Sequence, residues 1–242
     1  MKVLVFNGWA AGPETWALCE FPHDWVFDYV EQLDGLPEKV IEDSDEVVLV
    51  GFSMGGSSAL RMWLGYPERV RGLVLISATP CMMERTDENW KGMSERRLAA
   101  LRLGTQMTFR DDPSPMYDEK NMERGLDYLK STDLREALQL RAARRDVAPY
   151  HGSSLVPHPS SLIPVFIFQS EKDGIVRPNN AEFLKQVFPQ ATVTMVPGNE
   201  HVLPVAIPEL IDKAVAEVLD GHPESSIVDE VERKRTGRCF CA

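Results

Sequence analysis

The sequence is poor in cysteine: its 242 residues include four, at positions 19, 81, 239 and 241. These are too scattered for the paired spacing of a zinc site or for the dense framework of a small disulfide-stapled domain. A chain of this length buries about 70–75% of its unfolded surface, so its core needs neither kind of cross-link. We therefore expect reduced thiols, no bound metal and a protein of the cytoplasm.

Long apolar runs and excess positive charge are also missing. No stretch approaches the roughly 18 apolar residues of a membrane-spanning helix. The N-terminus passes directly into Lys2–Phe6, which is too short for the apolar region of a signal peptide. With 37 Asp and Glu against 26 Lys and Arg, the net charge is −11, which disfavours nucleic acid because phosphate binding needs clustered basic residues. We expect neither a membrane nor nucleic acid as a partner.

What the sequence does contain is an alternation of short, almost continuously apolar runs with helical stretches. This order is typical of an α/β domain, in which helices cover both faces of a parallel sheet. The predicted strands are Lys2–Phe6, Trp25–Tyr29, Glu46–Gly51, Gly72–Ser77, Pro164–Gln169 and Thr192–Val196. The predicted helices of this body are Met54–Gly65, Asn180–Phe188 and Pro208–Leu219, and each stops near a proline or a glycine.

One region breaks the alternation. Between about residues 80 and 162 the sequence has helical patterns near Asn89–Leu103, Met116–Lys130 and Leu134–Arg145, but no good strand. The sequence thus predicts a core made of residues 1–79 and 163–220, with a helical lid, residues 80–162, inserted between two strands of the sheet. Residues 221–242 are polar and charged, which is typical of a disordered tail.

The segment most informative about chemistry is Gly51-Phe52-Ser53-Met54-Gly55, which matches the pattern G-x-S-x-G. It lies between a predicted strand and a predicted helix, which is the context of a nucleophile elbow. In such a turn the glycines leave room where side chains would clash, and the serine takes a strained backbone conformation that exposes its Oγ. The following helix offers unpaired N–H groups and a positive dipole end to a developing oxyanion. Ser53 is therefore the predicted nucleophile.

A serine nucleophile needs a base, and the base needs a group that orients it. Among the five histidines, His201 follows a predicted strand after the elbow, so we expect it at the same edge of the sheet. Asp173 follows the strand before that one and lies between Ser53 and His201, in the order Ser, acid, His. Asp173 is the predicted orienting acid, which accepts the Nδ1 proton of His201 in a hydrogen bond. Glu171 is an alternative acid.

The oxyanion hole is expected to draw one donor from the elbow and one from the loop after the first strand. That loop reads Asn7-Gly8-Trp9. Gly8 allows a close backbone approach, and we expect the Trp9 and Met54 N–H groups to be the donors. The Trp9 side chain is also a candidate wall of the substrate pocket.

Together these elements resemble the α/β-hydrolase superfamily, over essentially the whole chain up to about Leu219. The residues that carry the resemblance are Asn7-Gly8-Trp9, Gly51–Gly56, Tyr66–Val70, Asp173–Val176 and Glu200-His201. Within that superfamily the chain is similar to the pimeloyl-acyl-carrier-protein methyl ester esterases of biotin synthesis. This likeness lies in Asn7-Gly8-Trp9, in Ser77–Cys81 and in Gly125–Arg135.

The resemblance implies a hydrolase that needs no cofactor and cleaves the methyl ester of an acyl chain carried on acyl carrier protein. In that family, lid arginines hold the acidic carrier, and Arg96, Arg97 and Arg102 lie on a predicted lid helix. Met83 and Phe109 are candidate lid residues for an acyl pocket.

The sequence also departs from the superfamily pattern: the usual His-Gly of the oxyanion loop is Asn7-Gly8, and the usual first β-hairpin is absent. Three alternatives therefore stay open. One is a general short-chain carboxylesterase that acts on a small-molecule ester. Another is a thioesterase or lyase of the menaquinone-pathway type, which uses the same triad. The last is a binding protein that has the fold but not the activity.

Overall fold

The computed structural model describes residues 1–9, 11–80, 134–143 and 163–221. Within them, six strands form one sheet in the order β2-β1-β3-β4-β5-β6, and each neighbouring pair is parallel. The strands are β1 (Lys2–Phe6), β2 (Trp25–Phe27), β3 (Val47–Phe52), β4 (Val70–Ile76), β5 (Val165–Ser170) and β6 (Thr192–Val196). The predicted α/β class with a parallel sheet is confirmed.

Helices cover both faces of this sheet. They are α1 (Tyr29–Leu33), α2 (Leu36–Glu42), α3 (Met54–Gly65), α4 (Arg135–Ala143), α5 (Asn179–Val187), α6 (Leu203–Ala206) and α7 (Pro208–Asp220), and a short 3-10 helix spans Pro13–Trp16. Successive strand residues point to opposite faces, so Leu49 packs with the α3 side of the core and Val50 with the α7 side. Because both faces of the sheet are covered, the residues of the strands are mostly apolar.

The second strand is shorter than predicted. It ends at Phe27 rather than Tyr29, and Tyr29 instead begins α1. Asp28 and Glu31 form a reciprocal cap: the Glu31 N–H donates to Asp28 Oδ1 at 2.9 Å, and the Asp28 N–H donates to Glu31 Oε2 at 3.0 Å. This capping box starts a helix directly after the strand. The sequence analysis predicted neither α1 nor α2.

Part of the predicted lid packs against the core. Helix α4 overlaps the predicted helix Leu134–Arg145, and its Leu138 is fully buried in the same apolar cluster as residues of α3 and α5. The Leu134 N–H donates to the carbonyl of Pro80 at 3.0 Å. Pro80 and Leu134 are therefore neighbours in space. The predicted helices Asn89–Leu103 and Met116–Lys130 lie outside the described residues.

Candidate active site

The turn between β3 and α3 holds Ser53 in a strained conformation. Its φ of 55° and ψ of −117° are unusual for a residue with a side chain, and its N–H donates to the carbonyl of Ile76 at 2.9 Å. A Cβ on Gly51 would lie 2.6 Å from the carbonyl oxygen of Gly55, and a Cβ on Gly55 would overlap the carbonyl of Phe6. Both glycines are therefore required by the close approach of α3 to β1 and β3, as the elbow pattern predicts.

Three side chains that are far apart in the sequence meet beside this turn. His201 Nδ1 lies 2.7 Å from Asp173 Oδ2, and Ser53 Oγ lies 3.1 Å from His201 Nε2. Ser53, Asp173 and His201 are 7%, 4% and 6% exposed. They come from the loops after β3, β5 and β6, which end at one edge of the parallel sheet. The arrangement can move a proton from Ser53 to His201 and stabilise the resulting imidazolium.

Asp173 is held as a charged carboxylate. Its Oδ1 accepts hydrogen bonds from the Ile175 N–H at 2.8 Å and the Val176 N–H at 3.0 Å. Burial by itself raises the pKa of Asp173, but the hydrogen bond and charge of His201, together with the two backbone N–H groups, outweigh it and leave this pKa below its usual value. A charged Asp173 accepts the Nδ1 proton of His201, which leaves the Nε2 lone pair facing Ser53.

The loop that carries His201 is fixed by hydrogen bonds to its backbone. Ser77 Oγ donates to the His201 carbonyl at 3.1 Å, and the Leu203 N–H donates to the same oxygen at 3.0 Å. Ser170 Oγ donates to the carbonyl of Glu200, the preceding residue. The ring of Phe52 packs against the imidazole, with the ring centroids 5.2 Å apart. The imidazole is therefore positioned before any substrate binds.

The loop after β1 packs directly against the elbow. A Cβ on Gly8 would lie 3.0 Å from the Phe52 ring and 3.1 Å from Ser53 Cβ, so the backbone at Gly8 passes close beside Ser53. Trp9 is buried, at 7% exposed, and Met54 is the first residue of α3. Both predicted oxyanion donors thus belong to segments that adjoin Ser53.

A polar cluster anchors the start of this loop to the neighbouring helices. The Asn7 N–H donates to the Phe27 carbonyl, and Asn7 Oδ1 accepts a hydrogen bond from Trp16 Nε1 at 2.5 Å. Gln32 Nε2 donates to the carbonyls of Asn7 at 3.0 Å and Phe27 at 3.1 Å, while Ser58 Oγ donates to Gln32 Oε1 at 2.6 Å. Because Ser58 is on α3, Gln32 connects the loop to the helix that follows Ser53.

The other predicted site residues divide into two groups. Glu171, the alternative acid, is exposed, and it is Asp173 that contacts His201. The five lid candidates lie outside the described residues: Met83, Arg96, Arg97, Arg102 and Phe109.

The buried polar residues near the site that the sequence analysis missed include Gln32, Ser77 and Gln169. Gln169 left a signal, because it is a polar residue directly after four apolar residues of β5 and precedes Asp173 by four positions. Buried polar side chains of this kind need hydrogen-bond partners.

The described residues include no group of three or more His, Cys, Asp or Glu side chains arranged to hold a metal ion. Nor is any helix in these ranges long and apolar enough to cross a membrane.

Comparisons with known proteins agree with this fold. A sequence model described as "Alpha/beta hydrolase family" matches residues 8–214, and the chain belongs to this family. Among solved structures, a hydrolase from Oleispira antarctica has a TM-score of 0.63 at 16% identity and covers 90% of both chains. The enol-lactonase from Burkholderia xenovorans LB400 has a TM-score of 0.61 at 14% identity and covers 90% of this chain and 91% of its own. At these identities the structures show a shared fold.

The names of curated relatives are more specific than the family description. The chain is 25% identical over 211 residues to a protein of Yersinia enterocolitica named pimeloyl-[acyl-carrier protein] methyl ester esterase, covering 76% of this chain and 74% of the relative. A protein of the same name from Salmonella heidelberg is 34% identical over 122 residues, covering 39% of this chain and 47% of the relative. The latter match thus spans less than half the length of that relative.

Proposed function

We propose that the protein is a serine esterase in which Ser53 is the nucleophile, His201 the general base and Asp173 the acid that orients it. One observation carries the proposal: the continuous contact from Asp173 Oδ2 through the His201 ring to Ser53 Oγ, with distances of 2.7 Å and 3.1 Å. The strained backbone of Ser53 supports it, since such strain is kept where it serves function.

In the first half of the reaction, Ser53 Oγ attacks the ester carbonyl carbon while its proton passes to His201 Nε2. The carbonyl oxygen becomes an oxyanion, which accepts hydrogen bonds from the Trp9 and Met54 N–H groups. Each such donor is worth about 3–4 kcal/mol of transition-state stabilisation. The C–O bond then breaks, His201 returns the proton to the leaving alkoxide, and an alcohol departs.

In the second half, water attacks the acyl-enzyme carbonyl and gives a proton to His201. The bond between the acyl carbon and Ser53 Oγ breaks, Oγ recovers the proton and a carboxylic acid is released. Throughout, the charged Asp173 stabilises the imidazolium without taking its proton. The Ile175 and Val176 N–H groups keep this carboxylate charged, which suits that role.

The finer proposal concerns the substrate. The names of the curated relatives support a methyl ester of an acyl chain carried on acyl carrier protein. On this proposal, the predicted lid supplies Met83 and Phe109, which line the acyl pocket along with the Trp9 side chain. Arg96, Arg97 and Arg102 then meet the acidic carrier, because clustered arginines attract acidic partners.

The nucleophile is tested by labelling with a fluorophosphonate probe and by turnover of short-chain p-nitrophenyl esters. We expect the probe to add to Ser53 and Ser53→Ala to lose both labelling and turnover. Ser44→Ala is the matched control, since Ser44 is a buried serine whose Oγ bonds the carbonyl of Val40 in α2. Turnover that survives in Ser53→Ala would exclude the proposed chemistry.

The substrate is tested with methyl esters of dicarboxylates of increasing length, free and attached to acyl carrier protein. We expect kcat/KM to rise on attachment to the carrier, and charge-reversing Arg96→Glu to remove the gain without changing turnover of the free ester. Equal kcat/KM for free and carrier-bound esters would identify a general carboxylesterase. A product formed without uptake of water would identify a lyase.

A further inference from the structure

A glutamine lies buried beneath the acid of the proposed triad. Gln169 is the fifth residue of β5, follows the apolar run Val165–Phe168 and is 1% exposed. A buried amide costs free energy unless its polar atoms are hydrogen-bonded. Packing alone would favour an apolar residue here, so the contacts of the amide are the informative feature.

The amide nitrogen of Gln169 reaches the loop that carries Asp173. Nε2 lies 3.3 Å from Asp173 Oδ2, 3.1 Å from the carbonyl of Val176 and 3.4 Å from the carbonyl of Ser170. All three partners are acceptors, so the amide is oriented with its nitrogen toward them. Asp173 Oδ2 is the same oxygen that faces His201 Nδ1 at 2.7 Å.

The two oxygens of Asp173 are therefore held differently. Oδ1 is fixed by two backbone N–H groups of its own loop. Without Gln169, the partner of Oδ2 would be His201, which is the very group that Asp173 has to orient. Gln169 supplies a donor from the sheet, and its position does not depend on the histidine.

We propose that Gln169 is a positioning residue of this acid–base pair: its amide directs Asp173 Oδ2 toward His201 and shares the charge of that oxygen. The proposal rests on the proposed function for its kinetic consequences. A carboxylate oxygen that also accepts a hydrogen bond from a neutral donor stabilises a protonated imidazole beside it less strongly.

Among the described residues, few other charged side chains lie near His201 and Asp173. Glu200 adjoins His201, but it is exposed and its Oε1 accepts a hydrogen bond from the Val202 N–H at 2.9 Å. Glu171 and Lys172, on the Asp173 loop, are also exposed. The direct ionic contact of His201 is with Asp173 Oδ2, so a change at Gln169 acts mainly through that carboxylate.

The test compares Gln169→Met, which keeps the length but has no donor, with Gln169→Glu, which keeps the shape and adds a carboxyl group. For Gln169→Met we expect kcat to fall roughly tenfold at little change in KM, the loss expected for one hydrogen bond to a charged group. The midpoint of the acidic limb of kcat/KM should move up by about half a pH unit to one unit. In Gln169→Glu the new carboxyl group faces the Asp173 carboxylate and two backbone carbonyls, so it stays protonated and keeps a donor. The limb should then stay closer to that of the wild type than it does in Gln169→Met.

Gln190→Met is the matched control. Gln190 Nε2 also donates to a backbone carbonyl, that of Ile163 at 3.2 Å, but it lies outside the site. This variant should keep the kinetics and the pH profile of the wild type. A folded Gln169→Met with an unmoved acidic limb would overturn the proposal, even if kcat fell, because a purely structural role leaves the limb in place. A limb that moves as far in Gln169→Glu as in Gln169→Met would also contradict a role for the donor.

A second readout separates this proposal from the proposed function. The imidazole titration of His201, followed by NMR, needs no turnover. If the fluorophosphonate probe fails to label Ser53 but the titration midpoint rises in Gln169→Met, the proposed function fails and the Gln169–Asp173–His201 coupling stands. If Ser53 labels normally but the midpoint is unchanged in Gln169→Met, the esterase stands and the role of Gln169 fails.

Discussion

Gly55→Ala should be the most damaging small substitution in the elbow, and Gly65→Ala in the same helix is its natural comparison. A Cβ on Gly55 would overlap the carbonyl group of Phe6 and lie 2.7 Å from the carbonyl oxygen of Asn7. These are backbone atoms, which cannot rotate away as a side chain can. Helix α3 or the end of β1 must therefore shift to admit one methyl group.

The expected size of the effect follows from two opposing contributions. Overpacking of this kind costs about 1–3 kcal/mol, and the rigid backbone partners place Gly55→Ala at the upper end. Alanine is preferred over glycine in a helix by about 0.8–1.0 kcal/mol, which offsets part of that cost. The net loss is about 2 kcal/mol. At Gly65 an added Cβ meets no atom within 4 Å, so Gly65→Ala should gain up to about 1 kcal/mol.

The shift should also affect turnover, because Phe6 and Asn7 lead into the proposed oxyanion loop. Displacing a catalytic group by about 1 Å can cost about 100-fold in rate. Urea unfolding followed by circular dichroism gives the two stabilities, and p-nitrophenyl ester hydrolysis gives kcat. Equal stability of Gly55→Ala and Gly65→Ala would refute the close contact between α3 and β1.

Three further outcomes are expected. Because folding lowers the pKa of Asp173, its carboxylate stabilises the fold at pH values above the ordinary pKa of 3.8, and this contribution is lost as pH falls through the lower folded pKa. The free energy of unfolding in urea should therefore fall less steeply between about pH 5 and pH 2 in Asp173→Asn than in the wild type. Burial, and next the charge of Asp212, raise the pKa of Cys19 to about 12, so a disulfide reagent at mildly alkaline pH should modify this thiol only after unfolding, as mass spectrometry can show. Gln32→Leu removes the side-chain donor to the Asn7 carbonyl and should cost about 1–3 kcal/mol in urea unfolding and lower kcat more than it raises KM.

The sequence was most informative where backbone geometry restricts residue choice. Only glycine fits at positions 51 and 55, so the elbow can be recognised from a local sequence pattern. The contact of Ser53, Asp173 and His201 was predictable because each follows a strand, and parallel strands end at one edge. The long apolar strands were also predicted within one or two residues of their observed ends.

The elements that were missed depend on contacts between distant parts of the chain. Helices α1 and α2 are five and seven residues long, too short for a clear helical period. Gln32 is 25 residues from Asn7, whose carbonyl it binds. No local pattern marks such a pair, because its partners are set by the packing of helices on the sheet.

Strand β4 explains how the proposed triad forms although the strands that lead to it are not all neighbours in the sheet. It lies between β3, which leads to Ser53, and β5, which leads to Asp173. At its end, Ser77 is fully buried with a φ of 45°, its N–H donates to the Phe168 carbonyl of β5, and its Oγ donates to the carbonyl of His201. A strained, buried residue is retained where its surroundings fix it. Strand β4 thus holds the His201 loop in place beside Ser53 and Asp173.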